Sequence, residues 1–85
     1  MADSKTIQVG IFSEKGIIHY GECTTLFVPS DVGMIAILPY HTPMIMKLSP
    51  GTVSIKSGHT KQEITSVKSG IVYVGENEAS VLVDL

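Results

Sequence analysis

Along this chain apolar and polar positions alternate in steps of two. Ile7, Val9 and Ile11 are separated by Gln8 and Gly10, the period of a strand with one buried face. Further β-rich runs follow at 17–20, 23–28, 34–38, 44–48, 52–56, 63–67, 71–74 and 80–83, so the pattern predicts about nine short strands. Helical spacing is sustained nowhere. Turn residues separate the runs at Lys15-Gly16, 29–33, 39–43, Pro50-Gly51, Ser57-Gly58, Ser69-Gly70 and 75–77. Runs of this length with turns every ~8–12 residues predict an all-β sandwich or barrel, mostly antiparallel. Pro29, Pro39, Pro43 and Pro50 are expected between strands, where a missing amide harms no ladder. Cys23, inside an alternating stretch, is expected to be a small buried filler.

Length and composition narrow the possibilities. Eighty-five residues make one domain, expected to span residues 1–85 with an ordered core over about 6–85. A chain 44% hydrophobic and 16% charged can build that core without metal or disulfide staples. The net charge is −2 and all six cations are lysine. With no arginine to grip phosphate or stack on bases, nucleic acid is not an expected partner. The longest apolar run, 34–39, is far shorter than the ~20 residues a spanning helix needs, so direct membrane insertion is not expected. The first ten residues do not read as a secretion signal.

Motifs for catalysis are missing. The chain has no Gly-rich phosphate loop ending in Gly-Lys-Ser/Thr, no Gly-x-Ser-x-Gly elbow and no His-Glu-x-x-His. His19, His41 and His59 are too dispersed to suggest a metal pair, and the carboxylates sit mostly at strand ends and turns, as solvated surface. No catalytic residue, cofactor or metal is expected. Met44-Ile45-Met46-Lys47 is similar to the Met-Lys-Met hairpin of biotinyl and lipoyl carriers, which makes a carrier domain modified at Lys47 the alternative. Lys47, however, lies inside an apolar run rather than at a hairpin tip, so an outward strand lysine is the favoured reading.

A more specific pattern starts at Val28. Val28-Pro29, Gly33, Ile37, Pro39, His41 and Pro43, then Leu48-Ser49-Pro50-Gly51, Ser69-Gly70 and Val81-Leu82-Val83-Asp84, stand in order and at the separations found in ATP synthase epsilon subunits. The chain resembles the β-sandwich domain of that family over nearly its whole length. The resemblance implies a flattened sandwich of about ten strands. It also implies a non-catalytic central-stalk role between the gamma subunit and the membrane c-ring, coupling proton flow to ATP synthesis. The location implied is peripheral, on the cytoplasmic face of an energy-transducing membrane, bacterial or organellar. Epsilon subunits commonly continue into an inhibitory helical hairpin, for which no residues remain after Leu85, so coupling without restraint is expected.

Carried over from the resemblance, Asp31, Met34, Tyr40 and His41 are expected to contact the c-ring and Ser13 to face gamma, with loops 29–33 and 39–43 forming one end of the sandwich. His41 is also read as a turn histidine whose ring bonds nearby backbone. Met34 stands where the family often has Glu, Ala36 where it often has Gly, Tyr40 where Gly usually precedes the histidine, and Ile71 replaces a second glycine after Ser69-Gly70. Tyr40 matters most, since a left-handed backbone there costs a non-glycine residue about 1 kcal/mol or more.

Overall fold

The computed structural model describes residues 5–84. Nine strands follow one another: β1 (Ile7–Ser13), β2 (Gly16–Cys23), β3 (Thr25–Ser30), β4 (Gly33–Ile37), β5 (Met44–Leu48), β6 (Gly51–Ser57), β7 (Thr60–Val67), β8 (Gly70–Val74) and β9 (Glu78–Val83). Seven of the nine predicted runs lie wholly within a strand; 23–28 begins before β3 and 34–38 ends one residue beyond β4. They form a five-stranded sheet in the order β2-β1-β9-β8-β5 and a four-stranded sheet in the order β4-β3-β6-β7. Among the described residues no ladder joins the two sheets, so of the two architectures expected the fold is a sandwich and not a closed barrel. Pairing is antiparallel except between β1 and β9, which run parallel. Leu85, placed at the end of the expected core, lies outside the described residues.

The inward-facing residues build one core between the sheets. Ile7, Val9 and Ile11 of β1 meet Val72, Val74, Val81 and Val83 on one side and Leu26, Val28, Ile37, Val53 and Ile55 on the other, all buried. Cys23 joins them at 2% exposure, as expected. These are largely β-branched residues, whose restricted χ1 suits a pleated surface.

Two expectations are corrected. The run 23–28 is not one strand: Cys23 ends β2 in one sheet and Thr25 opens β3 in the other. Thr24 makes the corner, its amide and hydroxyl both donating to the Lys56 carbonyl at 2.8 and 2.7 Å. The buried positions shift phase at this corner, from Cys23 to Leu26 and Val28, because each flanking strand points into the same core from a different sheet.

Pro29, expected in a turn, is paired within β3 opposite Met34. Its carbonyl accepts from the Ser49 amide, outside the β3–β4 ladder. The N–H and C=O of one residue point to the same side of an antiparallel strand, so the missing amide of Pro29 withdraws nothing from β4.

Candidate docking surfaces

Strand parity decides what the outer faces carry. In the five-stranded sheet the residues between the core positions point to solvent, and two cross-strand rows result. One runs Ile17, Phe12, Leu82, Ile71, Lys47 and the other Tyr20, Gly10, Ser80, Tyr73, Ile45, each from β2 across to β5. Both rows are predominantly apolar and accessible: Tyr20, Tyr73, Ile17 and Ile45 are each half or more exposed. Phe12 lies flat across the sheet, since a Cβ on Gly10 would come within 2.5 Å of its ring. A third row, Glu22, Gln8, Glu78, borders this surface with polar groups. This sheet is apolar on both sides, one facing the core and one facing water.

The four-stranded sheet differs. Its outer side carries Lys56, Lys61 and Glu63, and the Lys61 ammonium sits 4.6 Å from the centre of the Phe27 ring. Long charged side chains cover the aromatic there. The exposed apolar surface is therefore concentrated on one sheet.

The residues expected to contact partners fall into two groups. Asp31 occupies the β3–β4 turn, where its Oδ1 accepts from the Ser49 hydroxyl at 2.6 Å. Met34 lies one residue into β4 and is 53% exposed. Ser13 closes β1, and its Oγ accepts from the Lys15 amide at 3.1 Å. Tyr40 and His41 lie in the connection after β4. Loops that precede and follow one strand are at its opposite ends, so loops 29–33 and 39–43 do not share a pole as expected; they flank β4.

At the Tyr40 end the backbone turns left-handed. Tyr40 has φ 62°, so it keeps the conformation a glycine would supply and carries its cost. Asn77, itself at φ 50°, holds the turn: its Oδ1 accepts from the Tyr40 amide and its Nδ2 donates to the Thr6 carbonyl, both at 2.9 Å. The Tyr40 side chain is 67% exposed. The His41 amide donates to the Leu38 carbonyl, and its Nδ1 lies 2.7 Å from the Thr42 carbonyl. A carbonyl only accepts, so Nδ1 carries the proton and the expected turn role of His41 is present.

Asn77 and the outer sheet face were not anticipated from the sequence. Asn in a Gly-Glu-Asn turn signals a left-handed residue, but its partners are 37 and 71 positions away. Ile71, the departure from a glycine, is one of the outer-face residues. Lys47 stands in mid-strand opposite Ile71, not at a hairpin tip, and a carrier domain finds no support. Among the described residues no group of three or more His, Cys, Asp or Glu side chains could hold a metal ion. No helix among them is long and apolar enough to cross a membrane.

The described residues thus form a β-sandwich with one bare apolar sheet face, a polar border and loops tied by hydrogen bonds. Comparison with known proteins gives the family. Residues 6–85 match the model of the ATP synthase delta/epsilon chain β-sandwich domain, and the chain belongs to that family. It is 35% identical over 78 residues to the ATP synthase epsilon chain of Leptospira interrogans serovar copenhageni, covering 92% of this chain and 61% of that one. With the epsilon chain of Bordetella petrii it shares 37% identity over 79 residues, covering 93% and 56%. The chain thus spans about three-fifths of the length of such relatives.

Its fold is similar to that of a chain in the Euglena gracilis mitochondrial ATP synthase OSCP/F1/c-ring structure. There the TM-score is 0.82 at 14% identity, over 98% of this chain and 52% of that one. A chain in the Tetrahymena thermophila central stalk/c-ring structure gives 0.73 at 12% identity, over 96% and 66%.

Proposed function

We propose that residues 1–85, with an ordered core over about 6–85, act as one non-catalytic unit of the central stalk of a rotary F-type ATP synthase. The unit joins the gamma subunit to the membrane c-ring so that proton flow drives ATP synthesis, and it sits peripherally on the cytoplasmic face of the energy-transducing membrane, bacterial or organellar. Attachment is its contribution; no residue in it performs chemistry or binds a cofactor.

The observation that carries this reading is the bare apolar face of the five-stranded sheet. Contiguous apolar surface bordered by polar residues has the anatomy of a protein interface. Gamma is assigned to this face, and Ser13, following Phe12 at the end of β1, stands at its margin. The c-ring is assigned to the surface along β4. Only a partner lying lengthwise on that strand reaches Asp31 and Met34 at one end and Tyr40 and His41 at the other.

Reconstitution into an ATP synthase depleted of epsilon tests the proposal, with proton pumping and ATP hydrolysis measured together. These 85 residues should restore pumping and leave hydrolysis uninhibited. Failure to restore pumping would refute the stalk role, and strong inhibition of hydrolysis would refute a purely attaching one.

A further inference from the structure

Four strands stand at sheet edges: β2 and β5 in one sheet, β4 and β7 in the other. An open edge presents unpaired N–H and C=O groups, and soluble proteins guard such edges with charge, proline or irregular pairing. Here β2 carries Glu22 and a register break opposite Ile11 and Phe12. β5 carries Lys47, and β7 carries Lys61 and Glu63 with a break opposite Val53 and Ser54. β4 has none of these devices. Its sequence Gly33-Met-Ile-Ala-Ile37 is uncharged, and its register with β3 is unbroken.

The phase of the ladder shows which groups are free. A two-residue turn makes Ser30 and Gly33 a hydrogen-bonded pair, and alternation then makes Val28 with Ile35 and Leu26 with Ile37 the next such pairs. The amides and carbonyls of Met34 and Ala36 consequently point away from β3. Both residues are exposed, and no hydrogen bond from another described segment reaches either backbone.

We infer that two copies of this chain pair through β4, antiparallel about a two-fold axis at Ile35, to form a weak symmetric dimer. In this register Met34 faces Ala36 of the second copy, and the outward groups close about four backbone hydrogen bonds. The bulky side chain of Met34 lies against the small one of Ala36, and Val32, 88% exposed, comes opposite Leu38, 53% exposed. No charged residue lies between Val32 and Leu38 to oppose the match. A carboxylate at position 34 would bring two like charges within diagonal reach, ~7–8 Å, across the axis. One five-residue strand offers less area than a permanent dimer needs, so the association is concentration-dependent. It uses the edge assigned above to the c-ring, and the two partners exclude each other there.

The test is sedimentation or light scattering on the isolated chain from about 20 μM to about 1 mM, the range of so small an interface. The mass should rise from 9.1 kDa toward twice that value. Met34→Glu and Ala36→Pro should both hold it at 9.1 kDa with circular dichroism unchanged, since proline at position 36 removes only an outward amide. In the wild-type chain, hydrogen exchange at Met34 and Ala36 should slow at least tenfold with concentration, while Ile35, bonded to β3, should not change. A monomer at the highest concentration overturns the inference. So does a dimer that survives both variants, or one abolished instead by Tyr73→Lys, which would place the contact on the five-stranded sheet face. Because no stalk partner is present, failure here leaves the stalk reading intact, and failed reconstitution leaves the dimer intact.

Discussion

Replacing Asn77 should reveal how the Tyr40 turn is held. Asn77→Ala removes the acceptor for the Tyr40 amide and the donor to the Thr6 carbonyl, two bonds of 2.9 Å. The first is exposed and water can replace it; the second is partly buried, and its loss leaves a carbonyl poorly satisfied. At about 1 kcal/mol for each bond the pair accounts for roughly 1–2 kcal/mol. Alanine must also adopt φ 50°, a further cost of about 1 kcal/mol that asparagine largely avoids through local hydrogen bonding. The expected loss is therefore about 2–3 kcal/mol. Asn77→Gly separates the contributions, because glycine accepts the backbone and loses only the bonds, for roughly 1–2 kcal/mol. Urea unfolding followed by circular dichroism reads both, and in a domain this small each 1 kcal/mol also shifts Tm by about 4–8 °C. Values for both variants within about 0.5 kcal/mol of the unmodified chain would show that the clamp does not hold the turn.

Three further outcomes are expected. Tyr40→Ala should keep the fold and weaken c-ring binding by roughly 1–3 kcal/mol if the exposed ring is an aromatic anchor, as measured in a pull-down or surface-binding titration; unchanged binding would move that interface elsewhere. Tyr73→Lys, on the outer sheet face, should leave the unfolding midpoint within about 0.5 kcal/mol yet reduce gamma binding at least tenfold, and the reverse result would make Tyr73 a structural residue. Cys23, whose thiol pKa is pushed up by burial against a smaller opposing effect of the Thr25 amide, contributes stability that is full below the ordinary thiol range of about 8.5 and lost as pH rises through its higher folded value; a Cys23→Ala chain should lack this alkaline component in unfolding titrations.

Much of the architecture was legible because a period of two is a direct imprint of one buried face. Ile7, Val9 and Ile11 appear in the sequence as they do in the core. The corner at Thr24 left only a shift of phase, from Cys23 to Leu26 and Val28, and alternation does not say which sheet a strand joins. The parallel pairing of β1 with β9 was hidden for the same reason: nothing local distinguishes a neighbour 70 residues away. Ile71-Val72-Tyr73-Val74 did carry a signal, being apolar at successive positions and hence on both faces. That pattern also fits a strand buried on both sides, and only the sheet order shows that nothing in the described chain covers it. The placement of the two loops at one pole failed on a point of parity available from the sequence, since both adjoin the same strand.

The departures from the family pattern take on physical meaning once placed. Tyr40 keeps a left-handed backbone at a cost of about 1 kcal/mol, and Asn77 holds that turn rather than relaxing it. A residue under strain whose side chain is two-thirds exposed gains little packing within the described chain, so on the proposed function its compensation comes from a partner surface. The same reasoning applies to Ile71 and Tyr73, whose apolar groups meet water in the free chain. Gly10, Phe12 and Ser80 make the middle of that face low and flat, which favours a broad partner surface over an inserted peptide. Tyr40→Gly should therefore stabilise the free chain by about 1 kcal/mol while weakening assembly. Polar substitution on the outer sheet should instead weaken assembly with little change in the stability of the free chain, because of the two places only Tyr40 carries a backbone cost.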